Sequence, residues 1–143
     1  MHRRSIISDR TRRYGMAALG AVLALAGCSG ANGYTQTPEE LTPRMDIVSG
    51  DNQTAAINTD FPAHLRVFFN KNGMPLGGHP VTFNAPTQGA GGTFPGGVLS
   101  VTVTTDAGGY AESPTLTANG TAGSFTILAW NASYRANFHL TNQ

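Results

Sequence analysis

One cysteine in 143 residues means that no disulfide can form within the chain and that no cysteine cluster can hold a metal. Charge is also scarce: the residues Asp, Glu, Lys and Arg make up 12% of the sequence, too little for a basic stripe that would track a phosphate backbone. Past Pro43 no stretch repeats apolar residues at i, i+3 and i+4, which excludes a long amphipathic helix there. The chain has no G-x-S-x-G nucleophile turn, and its aspartates Asp46, Asp51, Asp60 and Asp106 stand singly rather than as a D-x-D-x-D-G calcium loop. His64, His79 and His139 are not spaced as zinc ligands. The glycine-rich GAGGTFPGG (89 to 97) has Phe94 where a dinucleotide loop needs its third glycine, lacks the Lys-Ser/Thr of a P-loop, and precedes no helix that could hold a phosphate. It reads as a flexible connection between strands. The expectation is a protein without catalytic residues, cofactor or metal, and nucleic-acid binding is disfavoured.

What is present begins with a cationic start. Arg3, Arg4, Arg10, Arg12 and Arg13 face only Asp9, and the run YGMAALGAVLALAG (14 to 27) carries no charge. That is the layout of a secretory signal peptide, and the apolar run is short of the roughly 20 residues a bilayer-spanning helix needs. The run ends Leu25-Ala26-Gly27-Cys28, and LAGC resembles the lipobox of bacterial lipoproteins. The resemblance implies cleavage before Cys28 and a diacylglyceryl group on its sulfur; an unmodified leader cysteine in a soluble secreted protein is the alternative. One acyl chain gives marginal membrane attachment and two or more make it stable. Ser29 in place of an aspartate leans toward the outer membrane. From Cys28 on, four basic residues meet seven acidic ones, a net charge of −3, so the basicity of the whole sequence belongs to its leader.

Residues 28–45 read as the lipidated cysteine and a small, polar, proline-punctuated tether. From residue 46 to 143 the texture is that of one all-β domain, with period-two segments parted by Gly, Pro and Asn turns. Leu65, Val67 and Phe69 alternate with polar or second-face positions, as do Val81 and Phe83, then Leu99, Val101 and Val103. Phe125, Ile127 and Ala129 form a further set, and Tyr134, Ala136, Phe138 and Leu140 the last. Side chains of one parity point to one face of a strand, so each set is expected to wall a common core. Whether Phe68 or Phe69 faces inward stays open, because a slip of one residue exchanges the faces.

The phrases VSGDNQTAAINTDFP (48 to 62), NGMPLGGHPVTFNAP (72 to 86), GAGGTFPGG, VTVTTDAGGYAESPTLTANGTAGSFTILA (101 to 129) and FHLTN (138 to 142) together resemble a bacterial Ig-like domain of group 1, the type found in invasin and intimin. The likeness covers nearly all of residues 46 to 142, and TTDAGG followed by LTANGTAGS is its most specific part. It implies an Ig-like β-sandwich. The turn before Asn72 is about one residue shorter than usual in that family, and Leu128 and Trp130 stand where members often have valine or threonine.

If Phe125, Ile127 and Ala129 point inward, Leu128 and Trp130 point outward, beside Arg135, Asn137 and His139 of the next strand. Trp and Arg are the side chains that most often carry interface energy, so Leu128, Trp130, Arg135 and His139 form the candidate protein-binding face. The competing expectation is that Trp130 only covers the hairpin as a cross-strand pair with Arg135 or Tyr134. The expected function is a membrane-anchored, non-enzymatic binding or adhesion module at the cell envelope, with a protein partner or self-association. A periplasmic accessory lipoprotein supporting an envelope complex is the alternative, and the sequence names no small-molecule ligand.

Overall fold

The computed structural model describes residues 42–143. The expected leader, Cys28 and the expected tether up to residue 41 lie outside the described residues. Among the described residues there is no helix, and the chain runs through eleven strands. These are β1 (Pro43–Ser49), β2 (Gln53–Ala55), β3 (Arg66–Lys71), β4 (Met74–Pro75), β5 (Pro80–Asn84), β6 (Gly92–Thr93), β7 (Ser100–Thr104), β8 (Tyr110–Glu112), β9 (Thr117–Ala118), β10 (Gly123–Asn131) and β11 (Tyr134–Asn142). The first strand thus begins ahead of the expected domain start at Asp46.

β3 is the hub of one sheet, with β1 along one side and the short β4 and β8 each paired to it. A second sheet runs β2-β11-β10-β5-β7. Every pairing in it is antiparallel except β2 with β11, where Leu140, Thr141 and Asn142 run parallel to Gln53, Thr54 and Ala55. β10 and β11 are consecutive, nine residues each, and joined by a tight turn, which is why they form the longest pairing in the fold.

The two sheets share one core. Met45, Val67 and Phe69 reach it from the first sheet, and Phe83, Ile127 and Phe138 from the second. The architecture is therefore all-β and sandwich-like, and its interior follows the alternation: Ile127 and Ala129 are buried while Thr126 between the inward positions is exposed. Phe69, 2% exposed, is the inward phenylalanine; Phe68 lies on the outer side, its ring 5.0 Å from that of Tyr110. One inward set departs from expectation. Leu99 is 37% exposed and Val101 and Val103 are only half-buried, because among the described residues β7 is the last strand of its sheet and no strand closes over them.

The glycine-rich stretch is a built part of the fold rather than a loose connection. Gly92 and Thr93 pair with Ala118 and Thr117 as β6 and β9, and Phe94 is 1% exposed. A Cβ on Gly92 would lie 2.7 Å from the carbonyl oxygen of Thr117, so glycine is what lets the two backbones close up. The buried side chain of Asn142 binds this end together. Its Nδ2 donates to the carbonyls of Gly91 (2.9 Å) and Thr121 (3.0 Å) and to Asn119 Oδ1 (3.0 Å). The GAGG and LTANGTAG phrases therefore meet in space, tied to the end of β11.

Candidate binding face

The outer face of the β2-β11-β10-β5-β7 sheet holds all four candidate residues. β10 is the middle strand, and its even-numbered residues Thr126, Leu128 and Trp130 point away from the core. Leu128 and Trp130 are half-buried although they face outward, and Arg135 and His139 are exposed. In register, Trp130 lies opposite Arg135, Leu128 opposite Asn137, and Thr126 opposite His139. On its other side Trp130 stands against Thr82 and Leu128 against Asn84, both from β5. The face thus places a large aromatic and an aliphatic side chain one above the other on the central strand, with Arg135 beside the tryptophan.

Apart from Arg135, the surface around this pair is uncharged and rich in hydrogen-bonding groups. The hydroxyls of Thr82 and Thr102 are 2.8 Å apart, Ser100 Oγ donates to Asn84 Oδ1 at 2.7 Å, and the Ser124 and Thr141 hydroxyls are 3.1 Å apart. Such cross-strand hydroxyl and amide pairs hold the sheet while leaving lone pairs and protons for a partner. At the far end His139 is fixed by the loop after β1. Its backbone N–H donates to Asp51 Oδ1 at 2.6 Å, its ring Nδ1 lies 3.4 Å from the same oxygen, and its carbonyl accepts from Asn52 N at 2.8 Å. An open depression of about 370 Å³ lies here, lined by Asn52, Ser124, Thr126 and Thr141 with His139.

Register brings Trp130 and Arg135 together, while His139 sits toward the other end of the hairpin, beside Thr126 rather than Trp130. Sequence reasoning missed Thr82 and Asn84, the β5 flank of the apolar pair. The alternation of Val81 and Phe83 signals that they face outward, but nothing in the sequence says that β5 is the neighbour of β10. Asp51 was equally invisible, since it reaches His139 across 88 residues of chain.

Among the described residues no group of three or more His, Cys, Asp or Glu could hold a metal ion, and no helix is long and apolar enough to cross a membrane. The fold and the face together define an all-β, sandwich-like domain with one partly apolar sheet surface. No protein-family model matches the chain, and neither a curated protein nor a solved structure does.

Proposed function

We propose that this chain is a lipid-anchored, Ig-like, non-enzymatic binding module of the cell envelope that engages a protein partner through the outer face of β10 and β11. The observation that carries this is the position of Leu128 and Trp130: two large apolar side chains on the outer side of the central strand, flanked by threonine, serine and asparagine and by the exposed Arg135. An aromatic and an aliphatic side chain on the middle strand, flanked on both sides by polar groups, have the composition of an interface anchor with its rim.

The Ig-like part of the proposal draws support from strand order. β1, β3 and β8 follow the order of strands A, B and E in an Ig sandwich, and β11, β10, β5 and β7 follow G, F, C and C′. The lipid part rests on LAGC at residues 25 to 28 and on the charge pattern before it. Attachment through two or more acyl chains would hold the domain at a bilayer with no protein segment crossing it.

Replacing Leu128 and Trp130 together by Thr tests the face. Both substitutions put a good strand former on an outer position, so the fold stays intact. Recovery of the partner after crosslinking in membranes is expected to fall at least about tenfold, in line with the loss of one or more interface anchors of 1.4 kcal/mol or above. Unchanged recovery with an unaltered melting curve removes the face from the proposal. The anchor has a separate readout: Cys28→Ala leaves the uncut precursor and abolishes acyl labelling, and normal processing of that variant contradicts lipidation.

A further inference from the structure

We propose that β7 is a docking edge for β7 of a second copy of this chain, the two strands joining antiparallel with Thr102 opposite Thr102 of the other copy. The hydrogen-bonding direction of β7 is fixed at both ends. Ala85 N donates to the Leu99 carbonyl at 2.7 Å, and Thr105 N donates to the His79 carbonyl at 2.8 Å, so residues 99 and 105 turn their backbone groups toward the β5 side. In an antiparallel pair this direction alternates residue by residue. Val101 and Val103 therefore also bond β5, and the N–H and C=O of Ser100, Thr102 and Thr104 point away from it, at exposed positions. Pro80 agrees: it lies opposite Thr104, where the alternation asks β5 for no N–H.

The other sheet margins carry the features that discourage strand addition. β1 has Arg44 and Asp46 and a register shift between Ile47 and Ser49; β2 is three residues long; β4 is two residues long and contains Pro75; β8 is three residues long and carries Glu112. From Val98 to Thr105 there is no charge, no proline and no bulge, and Val98 and Leu99 are 45% and 37% exposed. Among the described residues no strand pairs with this edge, and an edge of this kind is what native proteins otherwise blunt.

The occupant follows from self-complementarity. With the two-fold axis at Thr102, the outward backbone groups of Ser100, Thr102 and Thr104 meet their counterparts, and Ser100 lies across from Thr104 of the other copy. Hydroxyl side chains then face hydroxyl side chains on the outer surface. On the inner side Val101 meets Val103 and Leu99 meets Thr105, which covers the apolar positions that β7 leaves open. The nearest charge, Asp106, falls opposite Val98, so no like charges are apposed. The two-fold axis stands perpendicular to the sheet, which makes the two five-stranded sheets one continuous surface with both Trp130 faces turned the same way. That presentation would raise avidity for a repeated partner. The pairing uses the edge backbone groups of β7 and not Leu128, Trp130 or Arg135; Thr102 borders that face beside Thr82, so the Leu128 and Trp130 replacements, which leave β7 untouched, should keep the dimer and separate the two proposals.

Sedimentation of the purified full chain in detergent, alone and over a concentration series, is the test. The parent is expected to be dimeric. Thr102→Lys and Thr102→Glu each place like charges across the axis and are expected to be monomeric over the same range, with unchanged circular dichroism. Mixing the two restores a dimer containing one of each, because Lys then faces Glu. A monomeric parent, a Thr102→Lys chain that stays dimeric, a mixture that stays monomeric, or a foreign extended peptide bound in place of the second copy overturns the proposal.

Discussion

Phe138→Ala is expected to lower the unfolding free energy by about 3–5 kcal/mol, the range found when a large core aromatic is truncated and the surroundings cannot collapse. Phe138 is fully buried, at 0% exposure, on β11 in register with Ile127 of β10, which is also at 0%. Its ring centroid lies 6.2 Å from that of Phe83 on β5, so three adjacent strands of one sheet contribute to the packing around it. The opposite sheet supplies Met45, Val67 and Phe69 to the same core, and removing the ring opens a void that backbones pinned in two ladders cannot fill. Domains of this size hold only about 5–15 kcal/mol in total, so the variant sits close to the folding threshold. Urea titration checks this. The midpoint should fall sharply with an unchanged slope, and a loss below about 1 kcal/mol would mean that Phe138 is not in a packed interior.

Gly109→Ala is the second large effect, about 2–4 kcal/mol, and its origin is backbone rather than core volume. Gly109 ends the turn between β7 and β8 with φ of +80°, a left-handed conformation that costs any residue with a Cβ. The same glycine is pressed against β3: its carbonyl accepts from Phe69 N at 2.8 Å, and an added Cβ would lie 2.7 Å from the Phe69 carbonyl oxygen and 3.0 Å from Pro75 Cβ. That Phe69 carbonyl already accepts from Leu76 N at 3.0 Å, so relieving the contact would break the tie between β3 and the chain after β4. Gly73→Ala is the control. Its φ is +76°, nearly the same, but a Cβ there meets nothing within 4 Å, so only the conformational cost of about 1 kcal/mol applies. Equal losses in the two variants, measured by thermal unfolding, would show that the close approach at Gly109 contributes nothing.

The contrast between these sites marks how much of the fold was readable in advance. Period-two alternation identified Val67, Val81, Phe83, Ile127 and Phe138 as interior, because parity along a strand is a local property that needs no knowledge of neighbours. Strand order is not local. Nothing in SVTVT says that β7 ends its sheet, so Leu99, Val101 and Val103 carried the same interior signal as Val81 and yet remain partly open. Polar burial was also hidden: Asn70 and Asn142 are 0% and 1% exposed, each held by partners far along the chain. Asn70 Nδ2 donates to Asp46 Oδ2 at 2.8 Å, and Asn142 reaches Gly91. Asparagine ordinarily signals a turn, and only the assembled loops supply the acceptors that make its burial affordable.

The candidate face divides in the same way. That Leu128 and Trp130 share an outer surface followed from parity, whereas the sequence left Arg135 and Tyr134 both open as the residue across from Trp130, and only the register of the hairpin selects Arg135. The flanking Thr82 and Asn84 required the β5–β10 pairing, which joins segments more than forty residues apart. His139 belongs to the same face but to its opposite end, where Asp51 rather than Trp130 is its neighbour.

Thiol labelling tests the central claim most directly, with cysteine placed in turn at Thr126, Ile127, Leu128, Ala129 and Trp130 in purified chain, and at Thr82 and Asn137, which flank Leu128 and Trp130 and leave both in place, in purified chain and native membranes. Purified chain should label at 126, 128 and 130 and resist at 127 and 129, and in membranes labelling at 82 and 137 should be suppressed by the bound partner. Labelling that ignores parity, or rates at 82 and 137 that are the same in both preparations, contradicts it.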